Sequence, residues 1–180
     1  GDVVNVTEAG IKVTITGMGN YIGSVERSYK ILPKEVTITV DDKSKTYGAS
    51  DPEFTGSIER LVKDGDLGTV TYVRAEADKG KENVGDNITL TASYTENANY
   101  KVTVKTGKLT ITGKNIQDEK NAEVDRPEDV TYNGSEQKWT PTVKDKKTGA
   151  TLVKDQDYIV SYEGDVVNVT EAGIKVTITG

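Results

Sequence analysis

The same string of 17 residues, GDVVNVTEAGIKVTITG, occurs twice in the chain, at residues 1–17 and at residues 164–180. The copies are offset by 164 − 1 = 163 residues. The simplest interpretation is a long tandem repeat, with the chain ending at the point of the repeat where it begins. The alternative is an accidental duplication of one segment, which we weigh less because the second copy continues naturally from a strand-like segment.

The chain is polar and acidic, which limits both its core and its partners. Only 34% of its 180 residues are hydrophobic and 29% are charged, so one or two small domains must share little apolar material. The net charge of −6 and the interspersed basic residues disfavour nucleic acid and membranes as partners, because both need a basic surface. No run of about 18 apolar residues predicts a membrane span.

Cysteine and histidine are both absent. Their absence excludes disulfides, thiolate zinc sites, cysteine nucleophiles and histidine acid–base catalysis. Carboxylates cluster in three places, but none has the alternating acids and closing glutamate of a calcium loop. Those clusters are Asp41 with Asp42, Asp64 with Asp66, and Asp125 with Glu128 and Asp129. We therefore expect no metal and no cofactor.

Catalytic motifs are also missing from the chain. It has no phosphate-binding glycine loop and no G-x-S-x-G elbow. Sequence leaves open a pair of carboxylates that converge in the fold as in a glycosidase, but nothing favours such a pair. A Lys–Asn isopeptide bond would suit a cysteine-free stalk, yet the alternating pattern places no lysine clearly on an apolar face. We expect a protein that is not an enzyme.

Short runs of alternating apolar and polar residues predict a mainly β chain. Ile11, Val13 and Ile15 lie on one face of a strand, with lysine and threonine on the other. The pattern recurs at Val36, Ile38 and Val40; at Ile88 and Leu90; at Val102 and Val104; at Leu109 and Ile111; and at Ile174, Val176 and Ile178. One segment differs: Ile58, Leu61 and Val62 have helical spacing between Ser57 and Gly65, which predicts a two-turn helix.

The polar stretch after the last of the central strands suggests a division into modules. We predict that residues 33–113 form one module, β-grasp-like with one short helix, and that 114–129 form a connector. Residues 130–180 then form the N-terminal part of a second module type, and residues 1–32 form the C-terminal part of its preceding copy. Joining residues 130–163 to residues 1–32 gives one uninterrupted module of small antiparallel or mixed sheets.

Several short motifs resemble those of known bacterial repeats. The first module contains TYGASDPEFTG, ERLVKDGD and NVGDNITLTASYTENANYKVTVKTGKLTIT, and is similar to MBG domains of the YGX type. The second contains VTYNGSEQKWTPTVKD, LVKDQDYIVSYEGDVVNVTEAGIKVTITG and GMGNYIGSVERSYKI, and resembles YDG-like repeats. These resemblances imply an extracellular, cell-wall-anchored surface protein of Gram-positive or related bacteria, acting as an adhesin or stalk.

Three aromatic residues are the candidate ligand contacts: Trp139, Tyr47 and Tyr132. In one reading they are a platform that stacks on a glycan or on mucin. We favour the other, in which each ring is buried at the entry to a strand as a core anchor. The functional prediction is thus a non-catalytic tandem-repeat unit, with a glycan- or mucin-binding module as the alternative and a host glycoprotein or glycan as partner.

A final expectation concerns pairing between strands. Residues 130–180 lack the equivalent of Ser24–Ile31, so the second module has an open sheet edge there. Open edges expose unpaired backbone groups that accept another strand. We therefore predict that residues 18–32 pair with residues 130–180, either in the same chain or in a neighbouring copy.

Overall fold

The computed structural model describes residues 3–180 and divides the chain into two compact units, unit 1 (Gly1–Thr112) and unit 2 (Gly113–Gly180). Both units are built from short strands in small antiparallel and mixed sheets, so the predicted mainly β class is confirmed. Among residues 3–180, helical structure is confined to one 3-10 turn, Glu76–Asp78.

In residues 3–112, unit 1 has nine strands in three sheets. They are β1 (Ile11–Thr16), β2 (Ser24–Tyr29), β3 (Lys34–Val40), β4 (Lys43–Thr46), β5 (Gly56–Glu59), β6 (Thr71–Arg74), β7 (Ile88–Ser93), β8 (Tyr100–Lys105) and β9 (Gly107–Thr112). The sheets have the orders β1-β2, β5-β3-β8 and β4-β9-β7-β6.

Two pairs of consecutive strands connect the larger sheets of unit 1. β3 runs parallel to β8 and β4 runs parallel to β9. Only Asp41 and Asp42 separate β3 from β4, and only Thr106 separates β8 from β9. Two long extended segments therefore lie side by side and bend together from one sheet into the other.

The core of unit 1 lies between these two sheets. One cluster joins the end of β3 to β7 and β9, and a second joins β3 to Leu67. The buried members are Val36, Ile38, Val40, Leu67, Ile88, Leu90, Leu109 and Ile111. All except Leu67 occupy alternate positions of strands, as the apolar pattern predicted.

The helix predicted at Ser57–Gly65 is wrong. The chain forms β5 there, and Ile58 pairs with Ile38 of β3. Ile58 and Leu61 pack against the core, whereas Val62 is 73% exposed. A two-turn helix gains little in isolation, and the unoccupied edge of β3 offered a full ladder of hydrogen bonds instead.

In residues 113–180, unit 2 has four strands: β10 (Ala122–Val124), β11 (Val143–Asp145), β12 (Ile159–Glu163) and β13 (Lys175–Thr179). They form two antiparallel hairpin-like sheets, β10-β11 and β12-β13. The buried cluster consists of Ala122, Val143 and Tyr158, with Ile116 and Ile178 packed against it. Residues 114–129, predicted as a connector, thus supply both a strand and core residues.

The duplicated string adopts the same local structure twice, but with different partners. Its alternating segment forms β1 in the first copy and β13 in the second. β1 pairs with β2, whereas β13 pairs with β12. Within the described chain β2 therefore pairs with its sequence neighbour β1, in place of the C-terminal residues predicted for it. Pairing with another copy stays a prediction.

Asp145 connects β11 to the turn that follows it. One carboxylate oxygen accepts a hydrogen bond from Lys114 Nζ at 2.5 Å, and the other accepts from the backbone N–H groups of Lys147 and Thr148. These contacts, with Lys114 contributing most, lower the pKa of Asp145 to about 2, against the opposing effect of burial. The charged carboxylate therefore stabilises unit 2.

We predict that a glycine is required where the bent strands cross. A Cβ on Gly107 would lie 2.6 Å from the backbone oxygen of Asp41 and 2.8 Å from that of Val40. Because both contacts are with backbone, Gly107→Ala should destabilise unit 1 by about 1–3 kcal/mol. Urea denaturation measures this change. Gly113→Ala is the control, since its Cβ would meet nothing within 4 Å; equal midpoints for the two variants would contradict the prediction.

We also predict a pH-dependent contribution from Asp145. Its folded pKa lies below the ordinary value of 3.8, so its stabilisation is present above about pH 4 and is lost as the pH falls towards about 2. The Tm deficit of Asp145→Asn relative to the unmodified chain should be largest near pH 6 and shrink below pH 4. Glu119→Gln, at an exposed position, is the control. A deficit that is constant from pH 6 to pH 2 would refute the assignment.

Candidate functional site

A groove of about 1000 Å³ in unit 2 is the largest concave surface described in the chain. Irregular backbone at residues 126–139 forms one wall. Residues 166–176, from the second copy of the duplicated string, form the other, and Tyr162 of β12 lies between them. A hydrogen bond of 2.8 Å from the Gln137 N–H to the Val166 carbonyl joins the two walls.

Three aromatic side chains line this groove: Tyr132, Trp139 and Tyr162. The Tyr162 hydroxyl donates a hydrogen bond to the Trp139 carbonyl at 2.5 Å, which ties β12 to the irregular wall. Tyr132 and Trp139 were two of the predicted site residues, and the fold brings them to one surface. Tyr162 was predicted only as a strand residue; its alternation with Val160 was the signal that placed it on the inner face.

The predicted burial of these rings is wrong for Tyr132, which is 57% exposed, and for Tyr47, which is 45% exposed. Trp139 is half-buried and lies outside the buried cluster of unit 2. The smaller side chains Ala122 and Val143, together with Tyr158, already fill that cluster. The rings at residues 132 and 139 are therefore left on the surface, where a flat face can stack on a ligand.

The groove also carries charge of both signs. Lys138 Nζ lies 2.5 Å from a Glu136 carboxylate oxygen and 5.6 Å from the centre of the Tyr162 ring. That second distance is within the range of a cation–π contact. Four carboxylates line the groove, at Glu128, Asp129, Glu136 and Glu171, against two cations, at Arg126 and Lys138. The groove is consequently acidic on balance.

Asp165 shapes the second wall. Its carboxylate accepts hydrogen bonds from the Asn168 side chain and from the backbone N–H groups of Val167 and Asn168. These bonds, that of the Asn168 side chain first, lower the pKa of Asp165. The resulting turn directs Val166, Val167 and Val169 towards the groove.

Tyr47, the third predicted site residue, lies apart from the groove, in unit 1. It borders a shallow depression of about 400 Å³ that also contains Lys45, Asp51 and Glu82. The structure therefore does not combine the three predicted residues in one site.

The depression contains a network of ion pairs. Asp51 accepts hydrogen bonds from Arg74 Nε at 2.7 Å and Nη2 at 2.6 Å, and from Lys45 Nζ at 2.8 Å. Glu82 contacts both cations. The Arg74 guanidinium in particular lowers the pKa of Asp51. Burial lowers the pKa of Lys45, but the two carboxylates raise it by more.

This network bears on the isopeptide alternative. Lys45 is 4% exposed at its side chain, so a lysine does lie on the inner face of a strand, contrary to the sequence expectation. Amide formation needs a neutral amine and a protonated carboxyl. The pKa shifts of Lys45 and Asp51 favour the opposite states, a cation beside an anion. The arrangement is suited to holding β4, β6 and the loop of Asp51 together.

Two further searches of residues 3–180 gave negative results. No group of three or more carboxylates in this part of the chain is arranged to hold a metal ion. No helix in it has the length and apolar character needed to cross a membrane.

Comparison with known proteins identifies the body of unit 1. Residues 36–110 match the family model described as MBG domain (YGX type). The matched range begins in β3 and ends in β9, so it contains the two bent strand pairs and the core between them. No curated protein and no solved structure matched the chain.

Proposed function

From the MBG domain (YGX type) formed by residues 36–110, we propose that the chain is a non-catalytic tandem-repeat unit of a bacterial surface protein. It acts as a stalk or adhesin module outside the cell, anchored to the cell wall of a Gram-positive bacterium. The observation that carries this proposal is the duplicated string, which folds as a strand in both copies 163 residues apart. Regular recurrence of folded units along a chain is how proteins build length.

The side-chain chemistry of the chain supports a mechanical rather than a catalytic role. Its most buried charged groups, Lys45, Arg74, Asp78 and Asp145, are all engaged in ion pairs. Ion pairs that link separate strands resist local opening, and a surface protein without cysteine has no disulfides to do so. The tight crossing at Gly107 adds a rigid joint between the two sheets of the MBG domain.

Two measurements test the proposal. Antibodies raised against the chain should label intact cells of the source bacterium, because the unit is exposed outside the wall. Small-angle scattering of proteins with one, two and three tandem copies should show a maximum dimension that rises by a constant increment per copy. Labelling that appears only after lysis would refute the location, and a dimension that rises as the cube root of mass would refute the stalk.

The groove supports a second candidate function, glycan binding. Tyr132, Trp139 and Tyr162 present ring faces beside carboxylates and Lys138, and stacking combined with polar contacts is the usual chemistry of sugar recognition. The ligand class would be an oligosaccharide of host glycoprotein or mucin.

We predict that Tyr132→Ala separates this function from a structural role. The ring is 57% exposed, so its removal should leave the Tm unchanged while reducing retention on a mucin-glycan array several-fold. Tyr21→Ala is the matched control, because Tyr21 is 79% exposed and belongs to unit 1. Equal retention of both variants and the unmodified chain, or no retention of any, would remove the glycan proposal and leave the repeat-unit proposal standing.

A further inference from the structure

We propose that the unpaired edge of β13 is a binding surface for β2 of a second copy of this chain. The inference goes beyond the role as a repeat unit, because it names an interaction surface and its occupant. It depends on four observations: the partners of the duplicated strand, the edges it uses, the face it presents and the exposure of the β1-β2 hairpin.

The first observation is that one strand sequence is seen with two different partners. In the first copy, Val13 pairs with Arg27 and Thr14 pairs with Glu26 of β2. In the second copy, Val176 occupies the position of Val13 and pairs with Tyr162 of β12. β12 and β2 have unrelated sequences, so the strand IKVTIT has a defined antiparallel register with each.

The second observation is that the two partners use opposite edges. A hydrogen bond from the Gly17 N–H to the Gly23 carbonyl extends the β1-β2 ladder, so Ile11, Val13 and Ile15 direct their backbone groups towards β2. The β12-β13 ladder pairs Lys175 to Thr179, and no backbone bond extends it to Ile174 or Gly180.

A ladder of five pairs that stops at those points has its hydrogen-bonded pairs at Lys175, Thr177 and Thr179. These positions are equivalent to residues 12, 14 and 16 of the first copy, which face away from β2. The backbone groups of Ile174, Val176 and Ile178 therefore point to the edge of β13 that has no partner in residues 3–180. This is the edge that β2 occupies on β1.

The third observation is the chemistry of the face that β2 would extend. Residues opposite one another in a ladder project to the same face, so a docked β2 places Arg27 beside Val176 and Tyr29 beside Ile174. Ile174 and Val176 line the groove, whose surroundings carry four carboxylates and two cations. Arg27 would thus meet an acidic surface. On the outer face, Glu26 would approach Lys175 as it approaches Lys12 at 3.2 Å in β1-β2.

The fourth observation is that β2 is held weakly in its present position. The hairpin is anchored at its base, where Ile11 is buried, but Val13 is 40%, Val25 48% and Tyr29 54% exposed. Isolated two-stranded hairpins are marginally stable in water. In unit 2 the equivalent face is partly covered, since Ile178 packs on the buried cluster. Exchange of β2 from β1 to β13 replaces one ladder by the same ladder on a better-covered sheet.

The geometry implies head-to-tail association. The donor lies in unit 1 and the acceptor in unit 2, so each copy has one of each and the contact is heterologous. Chains joined in this way extend until the series closes or a terminal edge is blocked. Concentration should therefore increase the mean mass continuously rather than produce a single dimer.

Disulfide exchange tests the register, because the chain has no cysteine of its own. Glu26 and Thr177 would form a non-hydrogen-bonded pair, with a Cα separation of about 4.5 Å that a disulfide spans. Equal amounts of a Glu26→Cys chain and a Thr177→Cys chain are equilibrated in a glutathione buffer. The mixed disulfide should exceed the statistical proportion by about tenfold, because pairing raises the effective concentration of the two thiols. Glu26→Cys with Ser135→Cys, an exposed position in unit 2, is the matched control.

A statistical mixture of disulfides in both experiments would overturn the proposal. So would a monomeric disulfide in a single chain that carries both Glu26→Cys and Thr177→Cys, because β2 would then occupy its own β13. Light scattering gives an independent readout without cysteines. Arg27→Glu should reduce the concentration-dependent mass, whereas Lys30→Glu, the same charge change one residue beyond β2, should not. An equal effect of the two substitutions would also refute the assigned face.

Discussion

The parallel pairing of two bent segments, residues 34–46 and 100–112, is the constraint on which unit 1 depends. Because both segments turn at the same level, a single pair of chains contributes strands to two sheets and leaves their inner faces opposed. The crossing has no space for a Cβ at Gly107, so the backbones approach more closely than side chains would permit. The apolar residues that follow, including Leu109 and Ile111, are thereby aimed at Val40 and Ile88.

A chain with so few apolar residues needs other ways to hold its strands. In unit 1, Asp51 joins Lys45 of β4 to Arg74 of β6 across a sheet whose central strands are β9 and β7. In unit 2, Lys114 and the turn after β11 converge on Asp145. Each network is mostly buried and satisfied by direct partners, which is the condition under which buried charge does not weaken a fold.

The duplicated string shows how much a strand depends on its surroundings. The same residues form a strand in both places, with the same alternation, yet Ile15 is 59% exposed in β1 whereas Ile178 packs against a core in β13. Strand conformation follows from the β-branched residues and their period of two. The partner and the covered face follow from which chain lies next to the strand. Both proposals, the repeat unit and the strand-accepting edge, rest on this difference.

The aromatic residues illustrate where local reasoning failed. Tyr47 and Tyr132 were predicted as buried from their turn-like surroundings, but other side chains already occupy the cores of both units. The helix predicted at Ser57–Gly65 failed for a related reason, because the edge of β3 was available to the same residues. Neither the filling of a core nor the vacancy of an edge can be read from a window of ten residues.

By itself the sequence determined the β class, the inward positions of most strands, the 163-residue period and the family resemblance of residues 36–110, which the family comparison confirmed. These properties depend on local periodicity and on residue identity. The tertiary structure alone decided that Tyr132, Trp139 and Tyr162 share one groove, that Lys45 and Arg74 share Asp51, and that β13 has a free edge. Such properties depend on residues far apart in the chain, and their encounter is set by strand pairing and close packing rather than by any pattern within one segment.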